Sequence, residues 1–182
     1  MKRFFIINGE AQAGKDTFVN LCQDVVKTAI NESDAIWNYS MVDKIKQIAK
    51  ECGWDGEKTP EARKFLSDLK DLCDDFAQTS YRSVKDKADE FLKSPTAEIL
   101  FIHAREPKDI ERLKKEYGAK TILIMRDNHK TNATNHADAN VYDYHYDIII
   151  TNPGTNLELY RDKADQFLSS IGYFDAELKS DI

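Results

Sequence analysis

The spacing of apolar residues changes repeatedly along the chain, and each change predicts the start or end of a secondary-structure element. Short runs of nearly continuous apolar residues, rich in β-branched and aromatic side chains, are typical of buried strands. Four such runs predict strands at residues 4–8, 98–103, 120–125 and 146–151, and a less apolar run predicts a fifth strand at residues 35–40.

Between these strands the apolar residues recur every three or four positions, which is typical of amphipathic helices. The pattern predicts helices over about residues 16–30, 43–52, 60–76, 83–93, 110–117 and 157–171. Strands that are apolar on both faces and alternate with helices indicate a parallel sheet covered on both sides. We therefore expect a three-layer α/β fold, in which a parallel sheet of about five strands lies between two layers of helices.

The chain shows no internal repeat and no boundary between domains, so we expect one domain over residues 1–182. Within it, residues of about 43–93 are predicted to form a helical insertion. The segment of about residues 127–145 is polar and rich in asparagine. A loop of that length inside a compact domain is typical of a functional segment, so we expect it to act as a lid.

The composition narrows the classes of function. The 182 residues carry a net charge of −6, which argues against binding to polymeric nucleic acid because such binding needs a basic surface. A single nucleotide needs only a local site. No apolar stretch is long enough for an export signal or a membrane span. The three cysteines form no C-x-x-C pair, and we expect them to be buried on helix faces of a cytoplasmic protein.

The segment between the first predicted strand and the first predicted helix carries the most informative motif. Residues 9–17 read Gly-Glu-Ala-Gln-Ala-Gly-Lys-Asp-Thr and fit the phosphate-binding pattern G-x-x-x-x-G-K, with Asp16 where serine or threonine is usual. Gly9 lets the chain leave the strand sharply, and Gly14 allows backbone torsions that a side chain would obstruct. The motif therefore predicts a loop whose backbone a phosphate can approach.

The other residues of this loop supply the groups that hold a phosphate. Backbone amides converge on an anion at the positive end of the following helix, and Lys15 adds a cation between the terminal phosphates. The alternative is an ordinary strand-to-helix turn with a surface lysine. The chain has only 7 glycines, and two of them within this loop favour phosphate binding. The predicted cofactor-binding residues are Gly9, Ala11, Gln12, Ala13, Gly14, Lys15, Asp16 and Thr17.

Four segments resemble the phage-type deoxynucleoside monophosphate kinases, within the P-loop nucleoside and nucleotide kinase family. The Gly-Lys-Asp-Thr of residues 14–17 is similar to the end of that family's phosphate loop. Residues 40–46 (Ser-Met-Val-Asp-Lys-Ile-Lys) resemble its Ala-Asp-Pro-Leu-Lys element, and residues 102–107 (Ile-His-Ala-Arg-Glu-Pro) resemble its Asp-Val-Arg-Phe-Pro-Asn element. Residues 147–155 resemble its last strand and Asn-x-Gly-Thr turn.

This resemblance implies a P-loop NTPase fold and ATP-dependent phosphoryl transfer to a small acceptor, a (deoxy)nucleoside monophosphate. ATP and Mg²⁺ are the cofactors that it implies. Its implied catalytic residues are Lys15, Arg105 and Arg126. Both arginines follow predicted parallel strands, at the edge where open α/β sheets bind ligands, and each would contact donor or acceptor phosphates. The alternative for either arginine is a salt bridge to an acidic neighbour.

Asp16 and Thr17 are the expected Mg²⁺ ligands, since an anionic oxygen at position 16 can bind the ion directly or through water. The alternative for Asp16 is a carboxylate that only favours a helix N-terminus. Asp43 lies in the 40–46 element, and Arg63 and Arg82 lie in the helical insertion, where the resemblance places the acceptor. These three are the predicted substrate-binding residues, with surface solvation as the alternative for each arginine.

Two departures from the family pattern favour a second hypothesis. His103 stands where the related kinases tend to carry an acidic residue that helps to organise magnesium. Residues 127–146 contain no arginine, although the lids of nucleotide kinases commonly supply one. The alternative function is therefore a P-loop nucleotide-binding protein with weak or no transfer, either a sensor or a degenerate kinase. A GTPase is disfavoured, because the chain has no N-K-x-D motif.

The polar segment also contains groups that could be taken for a metal site or a strand. Its histidines and aspartates fit no compact set of metal ligands, so we expect ordinary loop residues. They are His129, His136, His145, Asp138 and Asp143. Its tyrosines alternate with the period of a strand, so we expect a strand face formed by Tyr142, Tyr144 and Tyr146.

Overall fold

A five-stranded sheet runs through the centre of the structure, a computed structural model that describes residues 1–127 and 141–175. Its strands lie in the order β2-β3-β1-β4-β5, and every neighbouring pair is parallel. They are β1 (Arg3–Asn8), β2 (Ile36–Ser40), β3 (Ile99–His103), β4 (Lys120–Arg126) and β5 (Ile148–Asn152). The prediction of a parallel sheet of about five strands is confirmed.

Helices cover both faces of this sheet. In the described part of the chain they are α1 (Lys15–Ile30), α2 (Asp43–Glu51), α3 (Pro60–Ala77), α4 (Thr79–Lys93), α5 (Pro107–Tyr117) and α6 (Leu157–Ser170). Helices α1 and α6 bury their apolar residues against one face, and α4 and α5 bury theirs against the other. The expected three-layer α/β arrangement is therefore confirmed.

Aromatic rings fill much of the space between the layers. The rings of Phe18, Phe101 and Phe167 have centroids between 5.5 and 6.3 Å apart, beneath α1 and α6. On the opposite face Phe91 packs edge-on against Phe4, with centroids 5.0 Å apart. Each fully buried phenylalanine stabilises the fold by roughly 1.5–3 kcal/mol. Because both faces of the sheet are covered, its strands are apolar on both sides, which explains their continuous apolar runs.

The connections between strands create a topological switch point next to β1. From β1 the chain crosses to β2 on one side, whereas from β4 it crosses to β5 on the other side. Strands β1 and β4 are neighbours, so the loops that leave their carboxyl ends diverge. Open α/β sheets bind their ligands in the crevice that forms at such a point. The fold thus places the loop after β1 at the position where a ligand site is expected.

Helix α3 departs from the expected core packing. Its apolar spacing is typical of an amphipathic helix with a buried face, but none of the residues of this fully described helix is buried. Leu72 and Phe76 keep 69% and 91% of their surface exposed. Helix α3 packs against α2 and α4, and two helices offer less apolar surface than a sheet does. Its helical start is set by Thr59, whose hydroxyl accepts a hydrogen bond from the Ala62 N–H at 3.2 Å.

The tyrosine-rich segment before β5 does not form the expected strand face. Residues Val141–Asp143 form a short 3₁₀ turn, and β5 begins only at Ile148. Tyr146 is buried, and its hydroxyl donates to the Val141 carbonyl oxygen at 2.9 Å. The expectation of a strand face is therefore wrong, because Tyr142, Tyr144 and Tyr146 all precede β5. The Tyr144 hydroxyl instead donates to Glu111.

The cysteines differ in burial. Cys22 is buried in α1, as expected, whereas Cys73 is partly exposed and Cys52 is exposed. The expectation of burial is wrong for Cys52 because α2 ends at Glu51, so that the cysteine lies beyond the buried face of the helix. No helix within residues 1–127 or 141–175 is both long and apolar enough to cross a membrane.

Candidate functional site

Two glycines shape the loop between β1 and α1. The backbone φ angle is +151° at Gly9 and +94° at Gly14, a range that residues with side chains rarely adopt. A Cβ atom at Gly9 would overlap the carbonyl oxygen of Ile124, and one at Gly14 would overlap the side-chain amide of Asn152. Both positions therefore require glycine, in agreement with the backbone geometry that the motif predicts.

Gln12 also has a positive φ, +61°, although it carries a side chain. This left-handed conformation costs a residue other than glycine about 1 kcal/mol or more. Two contacts help to hold the loop in this shape. The Nη1 atom of Arg126 donates to the Gln12 carbonyl oxygen at 3.2 Å, and the N–H of Ala13 donates to the Glu10 carbonyl oxygen at 3.2 Å. The arginine that ends β4 is thus part of the support of the loop.

The segment after β5 holds the other end of the loop. The side-chain amide of Asn152 donates to the Ala13 carbonyl oxygen at 2.8 Å, and the Tyr160 hydroxyl donates to the Gly14 carbonyl oxygen at 3.1 Å. In a trans peptide the C=O and the following N–H point in opposite directions. These bonds therefore direct the N–H groups of Gly14 and Lys15 away from Asn152 and Tyr160. Neither Asn152 nor Tyr160 receives a role from the sequence pattern. The sequence signal that could have indicated a role for Asn152 is its position directly after the last predicted strand.

Lys15 holds its ammonium inside the curve of the loop. Its Nζ atom donates to the carbonyl oxygen of Gly9 at 2.6 Å and to that of Glu10 at 2.8 Å. Lys15 is also the first residue of α1, where the helix dipole adds a partial positive charge. The ammonium, the helix terminus and the loop amides together create a positive potential. Such an arrangement suits a phosphate or another polyanion.

A carboxylate, an amide and an imidazole meet beside this lysine. Asp16 comes from the first turn of α1, Asn38 from β2 and His103 from the end of β3. The Nδ2 atom of Asn38 donates to Asp16 Oδ1 at 3.2 Å, and His103 Nε2 lies 2.7 Å from Asn38 Oδ1. His103 Nε2 also lies 3.7 Å from Asp16 Oδ1. Because a carboxylate only accepts, the Asn38 oxygen faces His103, and the imidazole donates through Nε2–H.

The surroundings of His103 keep its imidazole neutral. Burial lowers the pKa of His103 from 6.5 to about 4, because the imidazolium would lose its hydration. The carboxylates of Asp16 and Asp43 raise this pKa, whereas the ammonium groups of Lys15 and Lys46 lower it further. At neutral pH the side chain therefore supplies a hydrogen-bond donor and no charge. An acidic residue at this place would instead supply a negative charge.

Two clefts in the described part of the chain contain predicted site residues. The first has a volume of about 310 Å³ and adjoins the loop. Its wall includes Gln12, Gly14, Lys15, Asp16, Thr17 and Arg126, together with residues of the segment after β5. The second has a volume of about 440 Å³ and lies between β2, α2 and α4. It brings Arg82 together with Lys44, Lys87 and Tyr39, and with the acidic Asp86 and Glu90.

Of the predicted catalytic and substrate-binding residues, three lie outside the walls that the structure describes for these two clefts. Arg63 lies near the start of α3, and its Nε atom donates to a backbone carbonyl oxygen of the preceding segment at 3.2 Å. Asp43 accepts a hydrogen bond from a backbone N–H at the end of β2, and it pairs with Lys46 at 3.1 Å. Arg105 lies two residues beyond β3. Their functional roles stay predictions.

Asp16 and Thr17 offer oxygen donors to a divalent cation at the first cleft. Among the described residues, no group of three or more His, Cys, Asp or Glu side chains is arranged to hold a metal ion. The chain would thus supply only a small part of a coordination shell. This fits Mg²⁺, which retains waters and takes its remaining oxygens from one or two protein groups and substrate phosphates. His129, His136 and Asp138 lie outside the described residues, as does most of the predicted lid.

The chain was compared with known proteins by sequence and by structure, and only the structural comparison found similar proteins. No protein-family model matches the sequence, and no curated protein matches it. The structure of a thymidylate kinase from Ehrlichia chaffeensis matches with a TM-score of 0.50 and 10% sequence identity, over 92% of this chain and 98% of that chain. The chain has the P-loop NTPase fold.

Two other solved kinases match over most of the chain with slightly lower scores. A sugar kinase from Janibacter sp. HTCC2649 matches with a TM-score of 0.49 and 12% identity, over 93% of this chain and 94% of that chain. Shikimate kinase from Aquifex aeolicus matches with a TM-score of 0.49 and 9% identity, over 93% of this chain and 96% of that chain. At 10% identity the likeness to the thymidylate kinase concerns the fold and not the substrate. The resemblance to phage-type deoxynucleoside monophosphate kinases stays a prediction.

Proposed function

We propose that the protein is an ATP-dependent phosphotransferase. The observation that carries the proposal is the loop after β1, where Gly9 and Gly14 adopt a backbone shape that side chains would obstruct and Lys15 lies inside the curve. A triphosphate bound there would accept hydrogen bonds from loop N–H groups and form an ion pair with the ammonium of Lys15. The P-loop fold, shared with kinases, supports this proposal at the level of architecture.

Phosphoryl transfer requires positioned positive charge and little covalent chemistry from the protein. In this proposal Lys15 neutralises the terminal phosphates, and the amides of residues 11–14 hold them in place. Arg126 lines the same cleft and would contact the donor phosphates. Arg105, beyond the carboxyl end of β3, would contact the transferred group. The planar fork of arginine suits two phosphate oxygens at once.

Asp16 and Thr17 would hold Mg²⁺ beside these phosphates. The ion, when bound, would neutralise charge that develops on the transferred phosphoryl group. Asp16 is well suited to this task because its carboxylate lies at the mouth of the first cleft with 81% of its side-chain surface exposed. The Thr17 hydroxyl adds a second, neutral oxygen donor next to it.

A (deoxy)nucleoside monophosphate is the acceptor that we propose, bound at the cleft between β2, α2 and α4. Arg82, Lys44 and Lys87 supply positive charge for the acceptor phosphate, and the ring of Tyr39 supplies an aromatic surface. Arg63 and Asp43 would contact this acceptor from neighbouring segments. We expect recognition of the acceptor phosphate to depend most on Arg82, because its guanidinium is charged and can donate two hydrogen bonds to one phosphate.

The test is nucleotide binding followed by turnover. Thermal unfolding is measured with ATP and Mg²⁺, because a ligand at 100 times its Kd stabilises the folded state by about 2.7 kcal/mol. Lys15→Ala is expected to lose this stabilisation, whereas Lys27→Ala, an exposed lysine of the same helix, is expected to keep it. ADP formation is then measured with each nucleoside monophosphate. A wild-type protein that neither binds ATP nor forms ADP would refute the proposal.

A specific observation favours the second candidate function, nucleotide binding with weak or no transfer. His103 is neutral at the place where the related kinases tend to carry an acidic residue, so negative charge near the metal comes from fewer groups. A sensor or degenerate kinase would bind ATP with Mg²⁺ and release it unchanged. Stabilisation by ATP without ADP formation, across all nucleoside monophosphates, would support this candidate over the kinase.

A further inference from the structure

We infer that Asn38 is a positioning residue that sets the orientation of the Asp16 carboxylate toward Mg²⁺. This inference rests on the proposed function, because it needs a nucleotide and its metal ion at the first cleft. Asn38 lies on β2, outside the phosphate loop and outside the segments that resemble a kinase. The structure nevertheless joins its side chain to the loop, through one hydrogen bond to Asp16 and one to His103.

The Asp16 side chain needs such a partner because it has few neighbours of its own. It is 81% exposed, so packing does not select one of its rotamers. Asn38 Nδ2 holds its Oδ1 atom at 3.2 Å. When one oxygen of a carboxylate is held by a hydrogen bond, its second oxygen also points in a defined direction. Binding then loses less side-chain entropy than it would with a freely rotating carboxylate.

Asn38 is itself fixed from the sheet side. His103 is only 11% exposed, and its Nε2 lies 2.7 Å from Asn38 Oδ1. The backbone register pairs Asn38 with Phe101 and Ser40 with His103, so β2 and β3 hold the two side chains at neighbouring positions. The buried imidazole thus anchors the amide, and the amide in turn orients the carboxylate. The arrangement connects the end of β3 to the metal-binding side of the loop.

A purely structural role is the competing explanation, since Asn38 also ties β2 to α1. The chain offers a matched control for it. Gln23, on α1, donates its Nε2–H to the Ile36 carbonyl oxygen of β2 at 2.9 Å. This bond joins the same two elements as the bond between Asn38 and Asp16, but it does not involve Asp16. Gln23→Ala therefore removes a tie between β2 and α1 without changing the carboxylate.

The experiment measures the Kd of ATP by calorimetry, with Mg²⁺ and with EDTA, for the wild type, Asn38→Ala and Gln23→Ala. Loss of one hydrogen bond to a charged group predicts a roughly tenfold weaker affinity for ATP with Mg²⁺ in Asn38→Ala. Its affinity with EDTA is expected to equal that of the wild type. Gln23→Ala is expected to match the wild type in both buffers, and urea unfolding shows whether both variants are folded.

Four results would overturn the inference, and a fifth would overturn the proposed function. In the first, Asn38→Ala equals the wild type in both buffers; in the second, it loses affinity equally with Mg²⁺ and with EDTA, as a structural role predicts. Alternatively, Gln23→Ala loses the same Mg²⁺-dependent affinity, which would assign the effect to the contact between β2 and α1. A wild type that does not bind ATP in any buffer refutes the proposed function itself. A wild type that binds ATP without regard to Mg²⁺ refutes only the role of Asn38.

Discussion

Asn152, the last residue of β5, donates its side-chain amide to the carbonyl oxygen of Ala13 at 2.8 Å. The same side chain accepts a hydrogen bond from the N–H of Gly154 at 3.0 Å, which fixes the direction of the amide. It also occupies the space that a Cβ atom on Gly14 would need. One buried amide thus holds the phosphate loop from behind and excludes side chains at its second glycine.

Asn152→Ala is expected to weaken ATP binding about tenfold, because the Ala13 carbonyl would lose its partner and the loop would lose its fixed shape. The measurement is the Kd of ATP with Mg²⁺. Asn156→Ala is the matched control, since Asn156 caps α6 by accepting from the Leu159 N–H at 3.0 Å. That variant is expected to lose about 1 kcal/mol of unfolding free energy and to keep its ATP affinity. Equal affinities for the two variants would contradict the prediction.

Gly14→Ala is expected to abolish measurable ATP binding. The methyl group would overlap the Asn152 amide, and φ of +94° adds strain of about 1–3 kcal/mol. Gly118→Ala serves as control, because Gly118 also has a positive φ, +61°, but no described atom lies within 4 Å of its added Cβ. Calorimetric titration with ATP and urea unfolding separate the two effects. Retained ATP affinity in Gly14→Ala would show that the loop tolerates the methyl group.

The low pKa of His103 predicts a pH-dependent stability. Its value is about 4 in the folded protein and 6.5 as the reference, so the unfolded chain takes up a proton first as the pH falls. The stabilisation is fully present above pH 6.5 and is lost progressively between pH 6.5 and 4, by roughly 3 kcal/mol in total. Asp16, Asp43, Lys15 and Lys46 act on this titration.

The measurement is urea unfolding at several pH values, without nucleotide or metal, for the wild type and His103→Gln. Glutamine cannot take up the proton, so the variant is expected to lose less stability over the same interval. The difference between the two proteins isolates His103 from the other titrating groups. Parallel curves would contradict the prediction.

His103→Asp is expected to raise the rate of ADP formation, on the order of tenfold, if a missing negative charge limits transfer. His103→Asn is the control, because it offers hydrogen bonds without charge. The assay follows ADP with a nucleoside monophosphate that the wild type accepts or, if none is found, with each of them. No gain over His103→Asn would show that the histidine is not the limiting feature.

Arg82→Ala and Arg63→Ala are expected to differ in their kinetics. Arg82 lines the cleft of about 440 Å³, so its loss should raise the KM of the acceptor by roughly 10-fold to 100-fold with little change in the KM of ATP. Arg63 lies outside the described wall of that cleft, and its loss should change the acceptor KM less. Steady-state kinetics with varied acceptor and varied ATP measure both constants. A larger effect of Arg63→Ala would contradict this prediction and indicate that the acceptor binds closer to α3.

The strands and the phosphate loop could be predicted because their determinants are local. The continuous apolar runs follow from a sheet that is buried on both faces, and the glycine spacing follows from backbone torsions within six residues. Helix α3 shows the limit of this reasoning. The apolar spacing that includes Leu72 and Phe76 is that of a core helix, but whether a sheet lies beneath it depends on the whole topology.

The contacts that complete the candidate site could not be predicted for the same reason. Asn38, His103 and Asp16 lie in three separate elements, and only the strand order brings β2 next to β3. The pKa of His103 likewise follows from burial, which no local pattern reveals. The start of α4 at Thr79 illustrates a smaller error, since the predicted helix began at about residue 83 because the apolar spacing is weak in its first turn.

The bonds that hold the phosphate loop connect residues that are far apart in the chain. Gln12 and Arg126 are separated by 114 positions, Ala13 and Asn152 by 139, and Gly14 and Tyr160 by 146. During synthesis the ribosome therefore releases the motif long before the residues that support it. A nascent chain that ends before β5 has every residue of the motif but lacks the bonds from Asn152 and Tyr160. Nucleotide affinity is thus expected to arise late, and to report that the sheet has been completed.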